Sequence, residues 1–131
     1  MFVVLITAGC ATQPIATSAA KPVPTDRVLD AAYLQRAPNT GEVTVKRDTG
    51  MAGSGCAKKV FADAKPVAEL DTGEKVVMYL PEGDHIISAM SNSPCGGGMI
   101  ETRVSVKTGG SYTYRIGTQS NMGDGIYPTA F

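Results

Sequence analysis

From Phe61 to Ala89 the chain reads FADAKPVAELDTGEKVVMYLPEGDHIISA, short alternating runs cut every few positions by turn chemistry. Alternation with period two marks a strand with one dry face. Asp71-Thr72-Gly73 and Pro81-Glu82-Gly83 interrupt it, because glycine enters positive φ freely and proline breaks a strand's hydrogen-bond ladder. Between them, Glu74 to Leu80 carries Val76, Met78 and Leu80 on one face and Val77 and Tyr79 on the other. Apolar residues on both faces predict a strand central in its sheet or covered on both sides. The whole stretch reads as a meander, and the remaining strands are expected on either side of it.

The same pattern continues outward. In Glu42 to Lys46, Val43 and Val45 point to a core while their charged neighbours are expected in water. Lys58 to Ala64 sets Val60 and Ala62 against Phe61, and a turn at Ala64-Lys65-Pro66 leads into Val67 to Leu70. That tip departs from the Asn-Gly or Asp-Gly of a tight type I′ hairpin. In His85 to Met90, the set Ile86, Ser88, Met90 opposes His85, Ile87, Ala89. Ile100, Thr102, Val104 and Val106 alternate with charged and polar residues, and Tyr112, Tyr114 and Ile116 do so after Thr108-Gly109-Gly110. These last two strands read as a hairpin with one wet and one dry face. The glycine-rich tail, with Ile126, Tyr127 and Phe131, is expected to fold back as a cover.

About seven short strands at regular spacing predict an all-β fold, an antiparallel β-sandwich, with a closed barrel as the alternative. The 15 glycines and 8 prolines, without tryptophan, suit it. A length of 131 residues allows one domain, placed at residues 25–131. At its start, Thr25-Asp26 followed by RVLDAAYL reads either as a capped short N-terminal helix or as the beginning of a strand.

With 12 basic and 12 acidic residues nothing suggests electrostatic binding to nucleic acid, which normally needs a basic face to release counterions, and no nucleic-acid partner is expected. The N-terminus carries more information. Phe2 to Ala8 is apolar and Gly9-Cys10 follows, which resembles the end of a bacterial lipoprotein signal peptide. The resemblance implies cleavage after residue 9 and acyl chains on Cys10, with Ala11 favouring the outer membrane, facing the periplasm. The apolar run is short and has no basic residue before it, so the true start is expected upstream of Met1. A transmembrane helix would need about 20 apolar residues. Residues 11–24 (ATQPIATSAAKPVP) are small, polar and proline-containing, and read as a flexible tether between lipid and domain.

From roughly Glu42 to Gly117 the order of elements is similar to small bacterial lipoproteins of the DUF2846 and PEGA-like type. The matching residues are Phe61–Asp63, Lys65-Pro66-Val67-Ala68-Glu69-Leu70 and Leu80-Pro81-Glu82-Gly83-Asp84-His85. This likeness implies a transthyretin-like or immunoglobulin-like sandwich in an envelope compartment, and brings no activity with it.

Candidate chemistry is sparse. Cys56 and Cys95 each sit in a glycine-rich loop, TGMAGSGC and SNSPCGGG. In an oxidising periplasm they are expected to form a disulfide, since the Cys-x-x-Cys of a redox pair is absent. With His85 they would supply only three zinc ligands where four are wanted. His85, the sole histidine, is expected to bond a neighbouring backbone group rather than act as a base, with no nucleophile or orienting carboxylate placed beside it. Gly96-Gly97-Gly98 lacks the Lys-Ser/Thr of a phosphate loop. Asp63, Glu69, Asp71 and Glu74 gather around one hairpin and read as solvated turns before they read as a Ca²⁺ site. Tyr112, Tyr114 and Tyr127, at alternating positions, read as core residues before they read as a binding face.

No catalytic residue, metal or cofactor is therefore expected. The sequence points to a non-enzymatic, lipid-anchored envelope module with a membrane contact through its lipid and an envelope protein partner. The alternative is a periplasmic ligand-binding or enzyme-inhibitor module. In either case the binding surface is expected on the two cysteine loops, at Gly50, Met51, Ser54, Asn92 and Gly97.

Overall fold

The structure, a computed structural model, describes residues 11–50 and 55–131. The expected signal peptide, the lipidation residue Cys10 and the candidate residues Met51 and Ser54 lie outside the described residues.

The described strands are β1 (Lys21–Pro22), β2 (Thr40–Arg47), β3 (Lys58–Ala62), β4 (Lys65–Leu70), β5 (Glu74–Pro81), β6 (Gly83–Ser91), β7 (Ile100–Val106), β8 (Ser111–Gln119) and β9 (Gly123–Pro128). They form two sheets, ordered β1-β5-β2-β8-β9 and β4-β3-β6-β7. The sheets pack face to face, as expected of an all-β sandwich. The core between them holds Val43 and Val45, Val60 and Ala62, Val76, Met78 and Leu80, Ile87, and Val104 and Val106. The alternation assigned Val43, Val45, Val76, Met78 and Leu80 inward and set Val60 with Ala62, and Val104 with Val106, on single faces; which face of His85 to Met90 lay inward it left open, and the structure puts Ile87 in the core. Fully burying each valine, leucine, isoleucine or methionine of this set is worth roughly 1.5–3 kcal/mol.

Connectivity departs from expectation in three places. The stretch from Phe61 to Ala89 is not a meander: β3 and β4 form a hairpin, but β4 to β5 and β5 to β6 each cross between sheets. The turn at Thr108-Gly109-Gly110 likewise joins β7 in one sheet to β8 in the other, so these strands are not a hairpin. Nor is the five-stranded sheet wholly antiparallel, since β2 pairs parallel with β8 from Glu42↔Ser111 to Arg47↔Ile116. The chain reverses at every turn from β2 onward, so β2 and β8, separated by an even number of reversals, run the same way. The end where β2, β4, β6 and β8 finish is called the lower end below.

The expected N-terminal helix is a pair of 3-10 turns, Thr25–Arg27 and Ala31–Leu34. The cap comes from Asp30, whose carboxylate accepts from Ala32 N at 3.1 Å. The tail does fold back: β9 pairs with β8, and Phe131 lies over Lys46.

The segment expected as a tether is ordered from Thr12 onward. It forms a strap across the outer face of the five-stranded sheet, crossing β8, then β2, then β5. Thr12 N donates to Thr118 O at 3.0 Å, Gln13 pairs with Thr49, and Lys21 N donates to Gly73 O at 2.9 Å. The strap then becomes β1 and runs up the side of the sandwich, where Val23 N bonds Lys75 O of β5 and Leu29 N bonds Val67 O of β4. It thereby shields an edge of each sheet, which would otherwise offer unpaired backbone groups to another chain. Few apolar groups are available to hold it, but its backbone carbonyls find donors on the sheet.

Candidate functional site

The two cysteine loops meet at the lower end. Cys56 and Cys95 are joined, with S–S 2.12 Å and Cα–Cα 6.1 Å, across a separation of 39 residues. Closing a loop of that length contributes about 4 kcal/mol in the chain-entropy account. Asn92 N donates to Ala57 O at 3.0 Å and Cys95 N to Asn92 O at 3.1 Å, tying the loops together beside the disulfide. Beneath them Arg47, only 4% exposed, closes the bottom of the core. Its Nη1 donates to Cys56 O and to Leu70 O, both at 2.8 Å.

An open dish of about 260 Å³ lies against this junction, lined by Lys58, Ser91, the Cys95–Gly98 loop, Met99, Ile100 and Asp124. Of the residues expected to bind, Gly97 lines the dish. Asn92 acts through its backbone in the loop junction, and Gly50, at φ 115°, faces the strap, where an added Cβ would lie 3.5 Å from Thr12 Cα. A side chain lining the dish that sequence reasoning passed over is Lys58. Burial pushes its amine below the ordinary lysine value, Asp124 opposes that shift, and Arg47 adds to it. The pair Lys58-Lys59, separated from Cys56 by Ala57, was at most a partial signal: on a strand the two must face opposite ways, but nothing in the pattern says which loop either will meet. The dish offers one primary amine and one carboxylate beside a glycine-rich loop and apolar Met99 and Ile100, a composition suited to holding a small polar ligand.

Under the strap lies a second concentration of charge. Asp48, 1% exposed, accepts from Thr12 Oγ1 at 2.7 Å and from Arg115 Nε at 3.0 Å, and Arg115 Nη2 bonds its other oxygen. The bond to Asp48 raises the Arg115 guanidinium above its ordinary value, against the effect of burial. Gly117 is required here, since a Cβ would sit 2.1 Å from Asp48 Oδ2. Lys46, expected in water, is fully buried. Its Nζ donates to Ile15 O at 2.6 Å and to an oxygen of Phe131, while Lys75 Nζ donates to Thr17 O at 2.8 Å. Burial lowers the Lys46 pKa, and Asp48 works against that.

At the opposite, upper end His85 does bond a neighbouring carbonyl, as expected, and a carboxylate besides. Its Nε2 lies 2.7 Å from Pro81 O and its Nδ1 2.6 Å from Asp63 Oδ2, while Ile86 N donates to Asp63 Oδ1 at 2.9 Å. Carbonyl and carboxylate oxygens only accept, so both ring nitrogens are satisfied together only in the imidazolium form. Burial disfavours that charge, but the bonds to Asp63 and Pro81 outweigh it and raise the His85 pKa. The acidic hairpin divides its carboxylates among separate cations: Asp63 to His85, Glu69 to Lys59, and Asp71 and Glu74 to Arg27. Of the tyrosines, Tyr114 is core and donates to Arg103 O at 3.3 Å. Tyr112 accepts from Lys107 N at 2.9 Å and Tyr127 donates to Gly123 O at 2.7 Å.

Compared with models of protein families and with curated proteins, the sequence finds no match.

Proposed function

We propose that this chain is a non-enzymatic, lipid-anchored lipoprotein of the bacterial cell envelope, held at the outer membrane facing the periplasm and acting there as a binding or structural module. One observation carries the reading: of the three cysteines, Cys56 and Cys95 are bonded to each other, which leaves Cys10 as the remaining thiol at the position where the signal-peptide resemblance puts the acylated residue. Disulfides persist in oxidising compartments, which agrees with an envelope location. Several acyl chains, each methylene worth about 0.8 kcal/mol, anchor a chain stably. The test is metabolic labelling with a fatty acid together with globomycin. Label on the wild-type chain, absent from Cys10→Ser, and a precursor that accumulates with globomycin are the expected results; an unlabelled chain of unchanged size overturns the proposal.

The dish at the lower end favours a second reading, a ligand-binding or enzyme-inhibitor module working through the cysteine loops. A pull-down of an envelope enzyme that is lost on replacing residues 92–99 would support it. Undiminished capture by the replaced chain would count against it.

A further inference from the structure

We infer that the lower end of the sandwich rests on the lipid bilayer, with Met99 and Met122 entering its headgroup region. The inference builds on acylation of Cys10 and adds which surface of the domain faces the membrane, and why. A lipoprotein domain on a flexible linker has no fixed orientation. Here the linker is almost entirely consumed. Thr12 is fastened to β8 by Thr12 N to Thr118 O at 3.0 Å and by Thr118 N to Thr12 Oγ1 at 2.8 Å, and its hydroxyl reaches Asp48. Consecutive Cα atoms are about 3.8 Å apart across a trans peptide, so the two residues of chain that precede Thr12 can reach at most about 7.6 Å from it. The lipid therefore has no slack with which to lift the domain clear of the headgroups.

The end brought down is set by the strand directions. Thr118 is one residue from the end of β8, and the turn that follows, through Met122, is closed by Met122 N donating to Gln119 O at 3.2 Å. Met99 belongs to the same end, since it lines the dish together with Asp124 at the start of β9. Met122 is 64% and Met99 47% exposed, two of the four large hydrophobic side chains exposed among the described residues. An isolated exposed methionine needs no explanation. Two at the end that the covalent chain holds against the bilayer have an apolar phase within reach, and flexible thioethers adapt well to such a surface.

The test uses the full-length acylated protein in vesicles of phosphatidylethanolamine with phosphatidylglycerol, treated with peroxide and read by mass spectrometry. Met99 and Met122 should oxidise several-fold more slowly than in the Cys10→Ser chain added to the same vesicles. Acetylation of the exposed Lys65 and Lys107 at the upper end should not change. Inserting Gly-Ser-Gly-Ser-Gly-Ser between Cys10 and Ala11 adds about 20 Å of reach, and should restore oxidation while leaving the acyl label in place. Label present with unprotected methionines overturns the orientation and leaves the anchor standing. Protection that survives the insertion overturns it too, because the short reach would then not be its cause. Label absent removes the anchor itself, and the orientation with it.

Discussion

On the five-stranded sheet the outward Thr44 and Lys46 of β2 are buried, at 4% and 0% exposure, whereas on the four-stranded sheet the outward Lys59 and Glu69 stand partly in water 3.9 Å apart. Both sheets show the same alternation, and both place a lysine beside inward valines. What separates them is the strap. Its carbonyls at Ile15 and Thr17 accept from Lys46 and Lys75, and its Thr12 hydroxyl donates to Asp48. A buried charge is tolerable only when paired and hydrogen-bonded. The strap and the charges are thus mutually dependent: a small polar segment with little apolar area is ordered because the sheet beneath it supplies donors and an acceptor. On the bare sheet Ser88 Oγ donates to Glu101 at 3.0 Å, and solvent supplies the rest.

The largest effect expected from this contrast is at Asp48. Asp48→Ala leaves Arg115 without its carboxylate beneath the strap, and removing one partner of a buried pair costs about 3–5 kcal/mol. Glu69→Ala on the bare sheet should cost about 0–1 kcal/mol. Urea unfolding of the two variants measures both, and equal losses would end the distinction between the faces. Next in size is Lys46→Met, which leaves the Ile15 and Phe131 oxygens without their donor at a cost of about 1–3 kcal/mol. Lys59→Met should stay within about 0.5 kcal/mol. If Lys46→Met proved neutral, the strap would be held by something other than its carbonyls.

The bare face should also respond to pH. The bare sheet is closed at its upper corner by His85, whose pKa is raised in the fold by Asp63 and Pro81 despite burial. A raised pKa means that this stabilisation is complete below the unfolded value, about 6.5, and is lost as pH climbs through the folded value. Asp63 is lowered, its bonds to His85 and Ile86 outweighing burial, so its share is present above the unfolded carboxylate value and falls away in acid. The Tm advantage of the wild-type chain over His85→Gln should therefore be greatest in weakly acidic buffer and shrink as pH is raised past neutrality. An advantage that grew with pH would show that the ring is held neutral.

Much of the sandwich was legible because inward residues repeat with period two: Val76, Met78, Leu80 and Val104, Val106 were placed correctly without knowing which sheet held them. The same economy hid the connectivity. In a sandwich, Val104 of β7 and Tyr114 of β8 face one core from opposite sheets, so a tight turn between them looks the same whether the chain pairs or crosses. The strap was illegible for a related reason. Its composition is that of a segment unable to order itself, and its order comes from Lys46, Lys75 and Asp48, which lie in strands or turns distant in sequence. The disulfide was readable from the cysteine count and loop context. Lys58 was not, because a strand's first residue gives no sign of which loop it will meet.

The smallest effect expected lies in the one place where the bare sheet carries backbone strain. The turn from β3 to β4 has two residues, Asp63 at φ 49° and Ala64 at φ 68°, the positive pair of a type I′ hairpin. The departure of this tip from Asp-Gly therefore reflects strain borne by Ala64 rather than a different turn. The left-handed conformation costs a residue with a Cβ roughly 1–2 kcal/mol. Glycine removes that strain but returns about 0.4–1 kcal/mol of freedom to the unfolded chain. Ala64→Gly should then stabilise by about 0.5–1 kcal/mol. Asp63→Gly relieves a similar conformation and should nevertheless destabilise, because Asp63 bonds both His85 and Ile86 N. The gain from Ala64→Gly should persist in Thr12→Val, where the strap has lost its hydroxyl bond to Asp48, since the turn and Thr12 lie on different sheets with no shared partner. Gains that failed to add would mean that the covered and bare sheets are coupled through the core.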